Sequence, residues 1–235
     1  MAPRYILSVG ISFLLMLSAA AQQTSQRQTI PEMWKHEHNA VPCGDSPIPG
    51  RRPANWDCAV LARRQFSSLP SGALVLRIES FPTREAAEPA TTPASVVVEA
   101  VGKAWLLTLA SKGERAQGGQ FMTEVGPITI PSAGSYEMIV SEADIGSEIN
   151  SLPLQHKHSG PEVWYLFSGE QCVELPDRVV RARAGEGVFA PAETPMKLNI
   201  VGKSKRDALF IVVHDPAQPW NTYVDWQPKG LCQGK

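Results

Sequence analysis

Two histidines and a glutamate lie close together in the second half of the chain, in an arrangement that can bind a metal ion. His156 and His158 are separated by one residue, so on an extended segment both imidazoles lie on the same face. After the turn at residues 159–161, Glu162 opens the next predicted strand, and its carboxylate can return toward the same point. Two histidine nitrogens and one carboxylate form the facial-triad ligand set, which leaves coordination positions open and suits iron, manganese, nickel or zinc. The spacing is therefore either a chance arrangement or a site for one divalent metal ion, with Glu162 as the candidate catalytic residue.

The side chains around this point divide between two faces. Trp164 shares the phase of Glu162 along the predicted strand and would form an aromatic wall of a substrate pocket. Tyr165 points the other way, and Lys157 and Gln155 alternate away from the metal. The pattern therefore predicts that the metal and a small-molecule pocket share one face of the strands.

The elements that position these residues are predicted to be short β-strands. Regular short strands favour a closed barrel, because closure leaves no unpaired strand edge. Each apolar run in this part of the chain is bounded by Gly, Pro, Asp or Lys, at the spacing of an all-β sandwich or barrel. The six runs are 162–167, 171–175, 179–183, 187–190, 196–201 and 208–214.

The preceding part of the chain is predicted to be β-rich with one short helix. Residues 74–80 alternate between apolar and polar side chains, as in a half-buried strand. Thr83 can cap a helix over 83–88, and Gly102-Lys103 separates two strands of a hairpin. Residues 22–69 show no sustained period and are predicted to be an irregular extension. The remaining predicted strands are 96–101, 105–110, 121–125, 127–131 and the long one that begins over 136–145.

The ligand segment carries a resemblance to a known superfamily. The pattern His156-x-His158-x3-Glu162-x6-Gly169 resembles the first cupin motif, and Gly185-x5-Pro191 resembles the start of the second. The resemblance covers residues 139–215 at most. It implies a cupin-type β-barrel (double-stranded β-helix). With the N-terminal extension and the additional β-rich segment containing one short helix that the patterns predict, the fold class is all-β. The resemblance also implies a metal-centred site for a small organic substrate, of the oxygenase, isomerase or decarboxylase type, without choosing a reaction.

The second motif departs from the pattern at one important position. The third histidine of the family would fall at Met196. As a ligand, the soft thioether of Met196 would favour copper(I) or make a long, weak bond to a harder ion. As a core residue, it would pack in phase with Leu198 and Ile200 and leave three protein ligands. The alternative function is therefore a non-catalytic binding or sensing barrel whose metal site is weakened or absent.

The resemblance and the patterns together predict five segments. These are a signal peptide at 1–21, an irregular extension at 22–72, a β-rich segment at 73–132, a cupin barrel at 133–220 and a tail at 221–235. Residues 96–103 resemble 163–170 weakly, so the β-rich segment is either a decayed first cupin repeat or simply a similar hairpin.

The amino terminus and the cysteines predict an exported protein. The apolar run at 5–17 ends in small residues and is shorter than the roughly 20 residues that span a bilayer, which favours a signal peptide cleaved near Ala21 over a permanent membrane anchor. Periplasmic or secreted chains form disulfides. Cys43 with Cys58 and Cys172 with Cys232 is the preferred pairing, and free buried thiols are the alternative.

The charge composition of the chain favours one class of binding partner over another. The formal net charge is −1 and no long basic run is present, so the footprint of a nucleic-acid binder is missing and a small-molecule ligand is favoured. The cupin resemblance also suggests a homodimer. Two other histidine positions are weaker candidates: His36 and His38 form a pair in the Pro-rich leader, and His214 is predicted to lie at the barrel rim rather than to bind metal.

Overall fold

The computed structural model describes residues 56–114, 118–147 and 155–232. The predicted signal peptide, the pair His36 and His38, and Cys43 lie outside the described residues. Most of the described chain is in β-strands, and the predicted helix at 83–88 is confirmed as α1 (Arg84–Ala87), with Thr83 accepting a hydrogen bond from the backbone N–H of Ala86 at 3.3 Å. The strands are β1 Trp56–Phe66, β2 Leu74–Phe81, β3 Ser95–Ala100, β4 Lys103–Ser111, β5 Gln120–Ile128, β6 Tyr136–Ile145, β7 His156–His158, β8 Glu162–Ser168, β9 Glu170–Glu174, β10 Val179–Arg183, β11 Gly187–Ala190, β12 Lys197–Val201, β13 Arg206–His214 and β14 Asn221–Tyr223.

The second half of the chain, together with β1, forms the predicted all-β barrel. A five-stranded antiparallel sheet of order β1-β6-β13-β8-β11 faces a three-stranded sheet of order β10-β9-β12, and the pair β14-β7 lies with them. Because side chains alternate along a strand, each sheet turns one apolar face inward. The inner core between the sheets consists of Cys58, Ala143, Ile145, Trp164, Leu166, Val173, Leu175, Ala182, Ala190, Met196, Leu198, Ile200, Ala208 and Phe210.

A third layer covers the outside of the five-stranded sheet. The segment from β2 to β5 forms an antiparallel sheet of order β3-β4-β2-β5, so the prediction of a β-rich segment there is correct at the level of its strands. Its apolar side chains pack on the outward-facing residues of β6, β8 and β13. This outer core includes Leu76, Ile78, Trp105, Leu107, Leu109, Met138, Val140, Val163, Tyr165, Leu209 and Ile211.

Strand β2 is buried on both faces, and the prediction of a half-buried strand is wrong in this respect. All eight of its residues are buried, including the polar face that carries Arg77 and Glu79. Arg77 donates to the Glu124 carboxylate at 3.0 Å, so its charge is paired. Helix α1 covers the far face of this sheet through Ala87, which packs with Phe81 and Leu106. The alternation of apolar and polar residues within β2 gives no sign of the helix that covers its second face.

The irregular extension predicted for 22–72 contains a strand. Strand β1 pairs with β6 along its length and so forms one edge of the barrel sheet. The register shifts between Val60 and Ala62. A bulge of this kind places two residues opposite one, which breaks the period-two pattern that reveals a strand in sequence. The predicted tail at 221–235 likewise contributes a strand, β14, which pairs with β7.

The disulfide predicted between Cys172 and Cys232 is confirmed, with the two Cα atoms 5.8 Å apart. It links β9 to the C-terminal segment. Cys58 is also disulfide-bonded, and its predicted partner Cys43 lies outside the described residues. No helix in the described ranges is both long and apolar enough to cross a membrane.

Candidate metal centre

Strand β7 holds the two histidines between two neighbours. On one side it pairs with β14, where Tyr223 stands opposite His156 and Asn221 opposite His158. On the other side His156 and Met196 exchange both backbone hydrogen bonds, at 3.2 and 2.8 Å. A strand of only three residues is therefore fixed by backbone pairing on both edges, which sets the directions of both imidazoles.

The turn after His158 brings Glu162 back to the histidines. A Cβ atom on Gly160 would lie 1.7 Å from the carbonyl oxygen of Val213, so only a glycine allows this approach to β13. The backbone N–H of Val213 also donates to the Pro161 carbonyl at 3.3 Å. Strand β8 then starts at Glu162, which lies opposite Val212 on β13 and on the inner face of the sheet.

The three predicted ligands converge. One ligand atom from each of His156, His158 and Glu162 can be chosen so that all three lie within 4.8 Å of one another. His158 and Glu162 are 2% and 4% exposed, and Nε2 of the imidazole lies 3.1 Å from Oε2 of the carboxylate. Both of these atoms are buried without a hydrogen-bond partner. Leaving such an atom unsatisfied costs about 1–3 kcal/mol, so this donor set fits a bound cation better than it fits a structural role.

The tautomer of His158 also fits metal binding. Its Nδ1 lies 2.7 Å from the carbonyl oxygen of Trp220. A carbonyl can only accept, so Nδ1 carries a proton and donates it, and in the neutral imidazole the lone pair of Nε2 is then directed at Glu162. The indole of Trp220 stacks on the imidazole, with ring centroids 5.4 Å apart and planes 14° apart. A ligating histidine is normally oriented in this way by a partner on its other nitrogen.

Met196 occupies a position that is compatible with both of its predicted roles. Residues that pair directly across an antiparallel ladder project to the same face, so its side chain lies on the face of His156. It is 1% exposed and packs in the inner core with Leu198 and Ile200. Its role as a ligand stays a prediction.

Trp164 and Tyr165 lie on opposite faces of β8. Trp164 is buried in the inner core, on the face of Glu162, where an aromatic pocket wall was predicted. Tyr165 packs in the outer core against Trp105, with ring centroids 5.5 Å apart, and burial raises its pKa. Lys157 forms an ion pair with Glu193 and so is engaged away from the ligand group.

An arginine inside the barrel was not predicted. The guanidinium of Arg206, 1% exposed, donates to Oε1 of Gln171 from Nε at 2.9 Å and from Nη2 at 2.6 Å, and to the carbonyl of Ala143 at 3.3 Å. Burial lowers its pKa to about 10, and attraction to Glu162 opposes part of that fall. The group therefore stays positively charged at neutral pH and places a cation within electrostatic reach of the Glu162 carboxylate.

A second polar cluster lies at the end of β13. Nε2 of His214 is 3.2 Å from the Glu137 carboxylate and Nδ1 is 3.4 Å from the hydroxyl of Ser159. Arg63 donates to the same carboxylate at 2.8 Å. The hydrogen bond with His214, followed by attraction to Arg63, holds the pKa of Glu137 below its ordinary value against the opposing effect of burial. His214 stands at the strand end, as predicted, but it is buried, hydrogen-bonded to Glu137 and outside the ligand group.

Trp220 and Glu137 were missed because their partners are distant in sequence. Trp220 is 62 residues from His158, and Glu137 is 77 residues from His214. No local pattern marks a backbone carbonyl as the partner of an imidazole. Arg206 opens β13 two residues before the predicted run 208–214, and the sequence does not reveal that its side chain turns inward.

Comparison with known proteins adds similarity of fold. No protein-family model and no curated protein sequence matches the chain. Among solved structures, EutQ of Clostridium difficile is 13% identical, with a TM-score of 0.29, over 34% of this chain and 58% of that chain. Oxalate decarboxylase of Bacillus subtilis is 13% identical, with a TM-score of 0.32, over 37% of this chain and 24% of that chain. A cupin superfamily protein of Desulfitobacterium hafniense is 15% identical, with a TM-score of 0.29, over 33% of this chain and 68% of that chain. The likeness concerns the fold alone.

Proposed function

We propose that the barrel binds one divalent transition-metal ion through His156, His158 and Glu162, and that it acts as a metal-dependent enzyme on a small organic molecule. The observation that carries this proposal is a pair of buried atoms, Nε2 of His158 and Oε2 of Glu162, which lie 3.1 Å apart within the convergent ligand group and have no other hydrogen-bond partner. Buried polar atoms of this kind are rare in folded proteins and call for a specific explanation. A cation between them satisfies both.

The surrounding residues provide what such a reaction needs. When bound, a divalent ion would act as a Lewis acid and would orient the substrate. Three protein ligands leave coordination positions open for water and substrate. Glu162 supplies negative charge and is the candidate catalytic residue, and the inner-core side chains near Trp164 exclude bulk water from its side of the site. Oxygenase, isomerase and decarboxylase chemistries belong to the proposal through the cupin resemblance.

The position of Met196 supports a second candidate, a binding or sensing barrel without turnover. Met196 stands opposite His156, where the cupin motif has its third histidine, and offers a thioether in place of an imidazole. Loss of one nitrogen ligand would weaken the binding of a hard ion. This candidate predicts little bound metal.

Metal analysis with matched variants tests the proposal. Purified protein without a histidine tag is stripped with a chelator, reconstituted with manganese, iron(II), nickel, zinc or copper in turn, desalted, and assayed by elemental analysis. We expect about one equivalent of an ion in the wild type and in Lys157→Ala, whose side chain is paired with Glu193, and almost none in the double variant His156→Ala/His158→Ala. Less than roughly a tenth of an equivalent of every ion in the wild type would refute the metal enzyme and favour the second candidate.

Export is part of the proposal. The apolar leader at 5–17 and the disulfide between Cys172 and Cys232 support a periplasmic or secreted protein. Intact-mass measurement of the protein recovered outside the cytoplasm should show cleavage near Ala21. Recovery of only the full-length chain from membranes would contradict a cleaved signal peptide.

A further inference from the structure

The C-terminal segment contacts the metal ligands directly. Residues 220–232, here called the C-terminal strap, begin at Trp220, whose carbonyl and ring both contact His158. The next residues form β14, and Tyr223 lies against His156 with ring centroids 6.5 Å apart. The backbone N–H of Val224 adds a hydrogen bond to the Gln155 carbonyl at 3.1 Å. The strap therefore forms one wall of the ligand group and sets the orientation of one ligand.

The other end of the strap is anchored to a different part of the barrel. Glu174, at the end of β9, is buried and accepts hydrogen bonds from the backbone N–H groups of Lys229 and Leu231, the latter at 2.9 Å. Cys232 is joined to Cys172 on the same strand. The anchors therefore tie the strap to the three-stranded sheet.

Between its two ends the strap has little structure of its own. Residues 224–230 have no regular secondary structure, and β14 is only three residues long. Short segments of this kind open locally at low cost in free energy unless they are tethered. The anchors at Glu174 and Cys232 therefore limit how far the strap can move from the histidines.

We propose that the disulfide between Cys172 and Cys232 positions the metal centre, so that high-affinity metal binding requires its formation. This inference rests on the proposed metal site. With the disulfide formed, the strap keeps the Trp220 carbonyl on Nδ1 of His158 and so keeps Nε2 directed at the ion. When a dithiol reductant transfers two electrons and two protons to the disulfide, two thiols and an oxidised dithiol result, and the strap loses its covalent anchor. Metal loading then follows disulfide formation and takes place in an oxidising compartment.

Loss of an outer partner of a metal-binding histidine typically weakens metal binding by about 10- to 100-fold, which sets the expected effect. Thermodynamic linkage makes the effect reciprocal, since the bound metal must stabilise the disulfide by the same factor. A tenfold effect on a two-electron couple corresponds to a fall of about 30 mV in the reduction potential of the disulfide.

Cobalt(II) affinity tests the inference. The full chain is titrated with cobalt(II) in competition with a chromophoric chelator, and the visible d–d absorption reports the geometry of the bound ion. The double variant Cys172→Ser/Cys232→Ser should bind at least about tenfold more weakly and show a changed spectrum, while its circular dichroism stays like that of the wild type. The control is Cys58→Ser, which removes a disulfide at the inner face of β1, and should bind like the wild type.

The outcomes separate this inference from the proposed function. Binding by the double variant within about twofold of the wild type would overturn the role of the disulfide and leave the metal site standing. Absence of cobalt binding by the oxidised wild type would overturn the proposed function and this inference with it. If the double variant does not fold, a phosphine reductant opens the same disulfide in the folded wild-type protein, and cobalt binding should weaken by about tenfold. Unchanged binding by the reduced protein would then overturn the inference.

Discussion

The two buried histidines offer a matched pair of perturbations. His158 and His214 are each 2% exposed, and each has Nε2 close to a glutamate oxygen, at 3.1 Å from Glu162 and at 3.2 Å from Glu137. Replacing either by alanine removes the same number of buried atoms and leaves a carboxylate without its neighbour. Only His158 belongs to the predicted ligand group. The two variants should therefore lose stability for the same reason in the absence of metal and differ only in how much added metal stabilises them.

The size of the response follows from linkage. An ion that binds only the folded protein stabilises it by about 2.7 kcal/mol at a free concentration of roughly 100 times its Kd. In proteins of roughly 150–250 residues, a change of about 1 kcal/mol moves the Tm by roughly 2–4 °C. The metal-dependent rise in Tm should therefore be roughly 5–11 °C for the wild type and for His214→Ala. For His158→Ala it should be close to zero.

Differential scanning calorimetry of chelator-treated protein, with and without the ion selected by elemental analysis, measures these shifts. Each variant should melt below the wild type in the absence of metal, because a buried hydrogen bond is lost, to the Trp220 carbonyl in one variant and to the Glu137 carboxylate in the other. A full metal-dependent rise in His158→Ala would refute the assignment of that imidazole as a ligand. Loss of the rise in His214→Ala would show that the neighbouring cluster, not the predicted triad alone, holds the ion.

Three further outcomes can be checked with single substitutions. Met196→His should tighten cobalt(II) binding in chelator competition, since the new imidazole would project to the same face as His156. Unchanged affinity would mean that the side chain at position 196 is not directed at the ion. Gly160→Ala should lower the urea midpoint of unfolding strongly, because its Cβ would meet a backbone oxygen at 1.7 Å. The control Gly134→Ala, whose Cβ would have nothing within 4 Å, should change the midpoint little. Equal effects of the two substitutions would contradict the close approach. Glu137 has a lowered pKa in the folded state, so its contribution to stability is present above the unfolded pKa of about 4.3 and is lost as the pH falls through the folded value. The difference in free energy of unfolding between the wild type and Glu137→Gln should accordingly be full at neutral pH and shrink below pH about 4, and a difference independent of pH would count against this account.

Local patterns predicted the parts of the fold that depend on local sequence. The runs 179–183 and 187–190 coincide with β10 and β11, and the run 136–145 with β6, since each is bounded by turn residues and has uniform spacing. The alternation of His156 and His158 around Lys157 was sufficient to place both imidazoles on one face. These inferences need only the geometry of an extended chain.

The parts that were not predicted depend on tertiary contacts. The bulge in β1 broke its period, so a strand of the barrel sheet was taken for an irregular extension. The buried guanidinium of Arg206 is hydrogen-bonded to Gln171, a residue on another sheet. The orientation of His158 depends on the carbonyl of Trp220, 62 residues further along the chain. None of these pairings leaves a signal near the residue it concerns, and each becomes visible only when strands distant in sequence are brought together.

The five-stranded sheet has a consequence for assembly and for dissection of the chain. Its outward side chains, among them Met138, Val140 and Ile211, are covered by the chain's own four-stranded sheet. A homodimer that pairs through this face would require that covering sheet to detach, so a second copy would have to dock on another surface. A fragment limited to residues 133–220 would lose β1 and expose a continuous apolar face, which favours aggregation over folding. The covering sheet and the barrel therefore stabilise each other. A destabilising substitution in either should unfold both in one transition.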